Sequence, residues 1–387
     1  MKIAFVRKTY TPYGGAEKYL SLLMERLGEQ GHEIHIFANR WEEGAKQREK
    51  GGGLVFHRVP MIGAPSILEA LSFAFFSRRL LESEDFNLIH SFERTLYQDV
   101  YRAGDGCHRE WLRLRKKIDS WPKRISLPLN PLHRGLLFLE KRVFQSPRLK
   151  MVVANSRRGK EEIRRHYGVP EEKIRVIYNG VDLETFHPRN RAVFGQAQRR
   201  AMGIRASESL ILFLGSGFRR KGLDGLIEGF GRVAGEIPGV TLVVAGKDRF
   251  GPYERAARRR GVHKRILFVG PTRQARELYA ASDLFALPAI YEPFSNACLE
   301  AMATGVPVLT SLQNGVSELI ADGENGFLVS EAGDAPAIAE RLRRFFLSPE
   351  RRTLGEEARR TGENFSIALA VDRLMELYAE IRRPENA

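Results

Sequence analysis

The chain has 387 residues, 43% of them hydrophobic, enough for two domains that each bury a core. Its two cysteines, Cys107 and Cys298, have neither metal-type spacing nor a disulfide framework, so a reducing compartment is expected. No apolar run approaches the roughly 20 residues of a membrane span, the apolar start of "MKIAFVRKTY" is too short for a signal peptide, and the net charge of +15 calls for an anionic partner: nucleotide phosphate, nucleic acid or acidic lipid.

In chain order, "KIAFVRKTYTPYGGAEKYLSLLMERLGEQGHEIHIFA" predicts strand, glycine loop, amphipathic helix and strand. The runs "NLIHSF", "LKMVVANS" and "KIRVIYNG" continue the alternation. Gly180 and Pro188 punctuate "NGVDLETFHPRN", where one domain gives way to the next and a hinge is expected. The opening order then repeats in "LILFLGSGFRRKGLDGLIEGFGRVAGEIPGVTLVVAG", followed by "RILFVG", "DLFALPA", "VPVLTS" and "GFLVS". The expected organisation is α/β: two Rossmann-like, doubly wound domains facing a central cleft, with ligands at the carboxyl ends of the strands. Boundaries are placed at 1–186, 187–367 and a C-terminal helix over 368–387 that returns to the first domain.

Neither glycine loop carries a dinucleotide fingerprint. In "GSGFRRKG" Arg220 stands where the third glycine belongs, and no acidic residue ends "TLVVA" at the ribose position. Arg219, Arg220 and Lys221 precede a helix, where they suit either a diphosphate or a solvated basic turn. In "YEPFSNACLEAMATGVP", Ser295 is a plausible N-cap of a helix ending at Gly305. Glu292 lies ahead of that helix and Glu300 inside it; a ribose diol would satisfy Glu300, as would solvent or an arginine. No Asp-x-Asp pair or H-E-x-x-H spacing suggests a catalytic metal.

Glu292 and Glu300 in E-x7-E, with "GGAEKYL", "VVANSRRGKEEI", "VIYNGVDLETF" and "GFRRKGLDGLIEGF", make the chain resemble the retaining glycosyltransferases of family 4, which have the GT-B fold. Its pattern is most similar to those that glucosylate the lipopolysaccharide core. The resemblance implies that Gly14 and Gly15 approach the donor phosphate and sugar, and that Arg220 and Lys221 neutralise the diphosphate. It places Glu292 near the transferred sugar, Phe294, Ser295, Asn296 and Ala297 in the turn touching sugar and phosphate, and Glu300 on the ribose. Ser295 stands where relatives often have glycine. Asp105 in "YRAGDGCHREW" takes the acceptor-side polar position, often histidine in relatives, with His108 as the alternative.

The implied activity is metal-independent transfer of a hexose, glucose favoured, from a UDP-sugar to a lipid-linked saccharide such as the lipopolysaccharide inner core. No cofactor is expected beyond that nucleotide-sugar substrate. A sugar-nucleotide epimerase on the same fold is the alternative, and a nucleic-acid partner is not favoured because no recognition module is present. In "HREWLRLRKKIDSWPKRISL", Trp111, Leu114, Ile118 and Trp121 are at helical spacing among Arg109, Arg113, Arg115, Lys116 and Lys117, with Pro122 as the expected stop. Such a helix could simply face a core. The resemblance instead implies that the stretch from Arg109 to Arg124 docks on the anionic inner face of the cytoplasmic membrane, with the protein cytoplasmic and peripheral.

Overall fold

A computed structural model describes residues 1–10, 15–41 and 54–382. The chain forms two compact units, Met1–Asn179 with Ile367–Ala387, and Gly180–Ser366. Each is built on a parallel sheet.

Among the described residues, the main sheet of the first unit has seven strands in the order Leu54–Arg58, Glu33–Ala38, Lys2–Val6, Leu88–Ser91, Val100–Arg102, Met151–Ala154 and Ile174–Val176, beside a short pair, Thr9–Tyr10 with Arg40–Trp41. The run Ile3–Val6 is fully buried, as expected of a central parallel strand covered on both faces. The helix Gly15–Glu29 packs Leu20, Leu23 and Leu27 into the same core as Val371, Leu374, Leu377 and Tyr378 of the last helix, Ile367–Arg382. The ring nitrogen Nδ1 of buried His90 meets the Tyr378 hydroxyl at 2.5 Å, so this helix is also tied to the central strands by a polar contact.

The second unit has six strands in the order Ile266–Gly270, Val240–Ala245, Ser209–Leu214, Leu284–Leu287, Val308–Ser311 and Gly326–Val329, all neighbours parallel. Both sheets are α/β, doubly wound and Rossmann-like. In the second, the order reverses between Ser209–Leu214 and Leu284–Leu287. The loops leaving the carboxyl ends of those two strands therefore diverge and open a crevice, the place where such sheets bind ligands.

Candidate active site

The two diverging loops are Gly215–Gly222 and Pro288–Ser295, which carry Arg220, Lys221 and Glu292. Their close approach depends on glycine. Gly222 has φ +80°, and a Cβ there would collide with the Pro288 carbonyl; Gly215 has φ +148°, and a Cβ would lie 2.7–2.9 Å from the end of the Lys221 side chain. The loops are then bonded together: the Ile290 amide donates to the Arg220 carbonyl at 2.8 Å, and Arg220 Nη1 donates to the Tyr291 carbonyl at 3.2 Å.

This brings the two cations onto one carboxylate oxygen. Arg220 Nη2 and Lys221 Nζ each lie 3.3 Å from Glu292 Oε2. These are charge contacts rather than aligned hydrogen bonds, because the buried Oε2 accepts none. A concentrated positive pair held by a carboxylate with spare acceptor capacity can receive an anion and a hydroxyl together.

The backbone of Glu292 pairs with a third loop, its amide donating to the Gln313 carbonyl at 3.0 Å and its carbonyl accepting from the Gly315 amide at 2.9 Å. Asn314, fully buried, fastens this junction: its Oδ1 accepts from the amides of Ser295 at 3.2 Å and Val316 at 3.3 Å, and its Nδ2 donates to Thr310 Oγ1 at 3.0 Å. Nothing in "SLQNGV" beyond an ordinary turn signal marks Asn314 beforehand. Ser295 is the N-cap of the helix Asn296–Ala303, its Oγ accepting from the Cys298 amide at 3.3 Å. Burial pushes the Cys298 thiol up to about 12, so it is inert packing.

Phe294 is buried beside this turn, while Asn296 and Ala297 are half-buried in the first turn of the helix. Glu300 is also half-buried, not enclosed by its apolar neighbours, and already has a protein donor: Tyr279 Oη lies 3.0 Å from Glu300 Oε2 and 2.9 Å from the Ala297 carbonyl. Burial, reinforced by the Glu300 charge, holds the Tyr279 phenol well above its usual range and keeps it a donor.

In the first unit Gly14 lies outside the described residues, and Gly15 opens the helix Gly15–Glu29. Asp105 follows the strand Val100–Arg102 and is largely exposed, 3.4 Å from Arg94 Nη1. His108 begins the helix His108–Ile118; burial and the Arg94 charge hold its imidazole down at about 3, so it is neutral near pH 7. Its Nε2 lies 3.2 Å from His133 Nδ1. Glu93, which the motifs did not single out, sits just past the strand Leu88–Ser91, where the order of the first sheet reverses. It accepts from the Lys8 amide at 3.1 Å, and burial raises its carboxyl.

The expected single helix through Trp121 is two. Helix His108–Ile118 ends at Asp119, which is buried, has an extended backbone and pairs with Arg115 at 2.9 Å. A second helix, Trp121–Ser126, has Pro122 in its first turn, so the proline starts a helix instead of stopping one.

Residues 195–361 match the family model described as glycosyl transferases group 1, and residues 13–185 match the model of glycosyltransferase family 4. The chain is 25% identical over 365 residues to the lipopolysaccharide glucosyltransferase WaaG of Escherichia coli, covering 93% of each. It is 28% identical to an uncharacterized glycosyltransferase of Methanocaldococcus jannaschii, covering 85% of each. Among solved structures, that of WaaG superposes with a TM-score of 0.80 at 23% identity, over 97% of this chain and 99% of the other. Anabaena HepE, in a complex with UDP-glucose, gives 0.72 at 19% identity, over 98% and 100%. These agreements over almost the whole length establish a GT-B fold. With a family 4 region followed by a group 1 region, the chain belongs to the group 1 and family 4 glycosyltransferases.

Proposed function

We propose that the chain is a retaining hexosyltransferase that moves glucose from UDP-glucose to a lipid-linked saccharide acceptor of the lipopolysaccharide inner-core type. The observation that carries this reading is the convergence of Arg220 and Lys221, both at 3.3 Å, on a Glu292 oxygen that accepts no hydrogen bond, at the switch point of a parallel sheet. The name of the Escherichia coli relative supports the sugar and the acceptor, and the UDP-glucose complex of Anabaena HepE supports the donor.

In this reaction the bond from the anomeric carbon to the β-phosphate oxygen breaks, the acceptor hydroxyl oxygen bonds to that carbon on the same face, and the hydroxyl proton passes to the departing UDP. Arg220 and Lys221 meet the charge that gathers on the diphosphate, so the residues themselves take the neutralising role. Glu292 orients the transferred sugar, the turn Phe294–Ala297 contacts sugar and phosphate, and Glu300 with Tyr279 receives the ribose. Gly14 and Gly15 admit the donor, and Asp105 serves the acceptor.

A thermal-shift panel of UDP-, GDP- and ADP-sugars tests the donor. UDP-glucose at 100 times its Kd should stabilise the protein by about 2.7 kcal/mol. Stabilisation by a GDP- or ADP-sugar with none from UDP-sugars overturns the base assignment, and an inverted anomer in the product overturns retention.

The same reading puts the enzyme on the inner face of the cytoplasmic membrane. No helix among the described residues is long and apolar enough to cross one. Ile118, Trp121, Ile125 and Leu129 are 42%, 73%, 50% and 70% exposed, and Lys116, Lys117, Lys123 and Arg124 are exposed beside them. Of the expected apolar stripe, Trp111 and Leu114 are half-buried, so the exposed apolar residues lie at and beyond the break at Asp119. Each such cation is worth about 1 kcal/mol at an anionic leaflet. The protein should therefore sediment with anionic but not zwitterionic vesicles, and Lys116→Glu with Lys117→Glu should weaken that binding clearly. Unchanged sedimentation of the double variant removes this stretch as the contact.

A further inference from the structure

Away from the switch-point loops, the first unit gathers His35, His57 and Glu84. Among the described residues they are the one group of three histidine, cysteine or acidic side chains whose ligand atoms lie within 4.8 Å of one another. They come from separate elements: His35 from the strand Glu33–Ala38, His57 from the edge strand Leu54–Arg58, and Glu84 from just past the helix Ser66–Glu82. The parallel register pairs Phe37 with His57 and His35 with Val55, which sets the two imidazoles diagonally on one face. We propose that His35, His57 and Glu84 form a binding site for a divalent transition-metal ion of the zinc class.

The surroundings hold each donor in a competent state. Glu33 Oε1 lies 2.7 Å from His35 Nε2, and a carboxylate there fixes the proton on that nitrogen. The His35 Nδ1 lone pair is thereby turned toward His57, whose Nε2 is 2.6 Å away. This carboxylate–imidazole pairing is the usual support of a metal-binding histidine. The His57 ring lies flat on Phe37, with centroids 4.3 Å apart and planes within 4°, and Phe86 meets His35 edge-on. Glu84 divides its oxygens, with Oε2 2.8 Å from Lys2 Nζ and Oε1 3.9 Å from His57 Nδ1, the ring nitrogen other than the one that meets His35.

Two imidazoles and one carboxylate suit zinc, nickel or copper and not magnesium or calcium, which prefer sets of oxygen ligands. Zinc–nitrogen bonds of about 2.0–2.1 Å place two ligands about 3.3 Å apart in a tetrahedron. Loading through these two nitrogens requires the 2.6 Å contact between the rings to open by less than about 1 Å and the Glu84 carboxylate to swing from His57 Nδ1 toward Nε2, with water completing the sphere. The first unit's other close histidine pair, His108 and His133, is a poor rival, because among the described residues no cysteine or acidic side chain joins it as a third ligand. Lys2 and Glu33 are the first residues of their strands, while His57 is the last but one of the edge strand, on the side of the sheet away from the switch point. The ion would serve structure, tying the edge strand to its neighbour and to the end of a helix.

Isothermal titration and thermal shift of the full chain after chelator dialysis, with Zn2+, Ni2+ or Mg2+ alone as the probe, decide this. Zn2+ should bind once per chain and raise the Tm by several degrees. His57→Gln and Glu84→Gln, each checked for folding by circular dichroism, should each weaken binding at least 10-fold, while His133→Gln should leave it unchanged. The proposal is overturned by wild-type protein without saturable one-to-one Zn2+ binding, by binding that survives in the folded cluster variants, by loss on His133→Gln instead, or by Mg2+ binding equally well.

Discussion

Glu140 and Glu292 are both buried carboxylates beside arginine, yet they differ in what is left over. Glu140, on the helix Pro131–Phe144, is fully enclosed and saturated. It accepts from the amides of His108 at 2.7 Å and Arg109 at 3.2 Å, from Arg94 Nε at 3.3 Å and from the Tyr167 hydroxyl at 2.5 Å. It thereby caps the helix His108–Ile118, whose N-cap, Cys107, makes no side-chain capping bond. Glu292 has two cations within reach and an oxygen that accepts no hydrogen bond. A saturated buried carboxylate has no capacity for a ligand and is part of the scaffold; an under-satisfied one between cations keeps acceptor capacity that the scaffold does not use.

The largest effect should come from the saturated side. Glu140→Ala leaves Arg94 and two helix amides without their acceptor, and removing one partner of a buried pair costs about 3–5 kcal/mol. Denaturant unfolding should show that loss, while turnover per folded molecule stays near wild type. A cost below about 1 kcal/mol would erase the contrast. Glu292→Gln should do the reverse, lowering kcat by about 100-fold or more, since one preorganised charged group is commonly worth that much. Its Tm should change little, because the lost charge takes part in no aligned hydrogen bond. A large drop in Tm with normal turnover would make Glu292 scaffold too.

Glu300 falls between the two, with Tyr279 as a donor and a half-buried carboxylate. Glu300→Gln should raise the donor KM and weaken free UDP binding by about 1.5–3 kcal/mol, the worth of hydrogen bonds to a charged group, with kcat less affected. Unchanged UDP affinity in the folded variant would assign Glu300 to holding Tyr279 alone.

Arg220, Lys221 and Glu292 were legible in the sequence because each lies in a short loop directly after an apolar strand, so one dimension already carried their place in the fold. The doubly wound architecture was legible for the same reason: strands covered on both faces read as continuous runs such as "LILFL" and "TLVVA". Asn314 was not, because its role depends on reaching the Ser295 amide across 19 residues. Glu140 was hidden in "FLEKRV", where a glutamate before a lysine reads as solvated, and its partners come from three other segments. The break at Asp119 was missed because helical spacing carries on through it. What ends the helix is local side-chain bonding that spacing does not register: Arg124 donates to the Asp119 carbonyl at 2.6 Å while Arg115 takes its carboxylate.

The remaining effect, which vanishes near neutral pH, concerns the residue whose amide Glu140 caps. His108 is held neutral with its pKa lowered to about 3, by burial first and then by Arg94, His133 and Arg115. In the unfolded chain a histidine titrates near 6.5. Above about 6.5 both states are neutral at this position and the fold has its full stability. As the pH falls below that value, the unfolded chain binds a proton that the folded chain refuses, so stability declines by up to about 1.4 kcal/mol per pH unit from this residue, down to its folded pKa. The expected observation is an unfolding free energy that falls between pH 6.5 and 4.5, with His108→Gln flattening the slope by about one proton's worth. His57, also lowered by burial, adds to the slope in both proteins and leaves the difference between them intact. If the two slopes coincide, His108 takes up its proton in the folded state, and the neighbourhood of Glu140 is less closed to solvent than its hydrogen bonds imply.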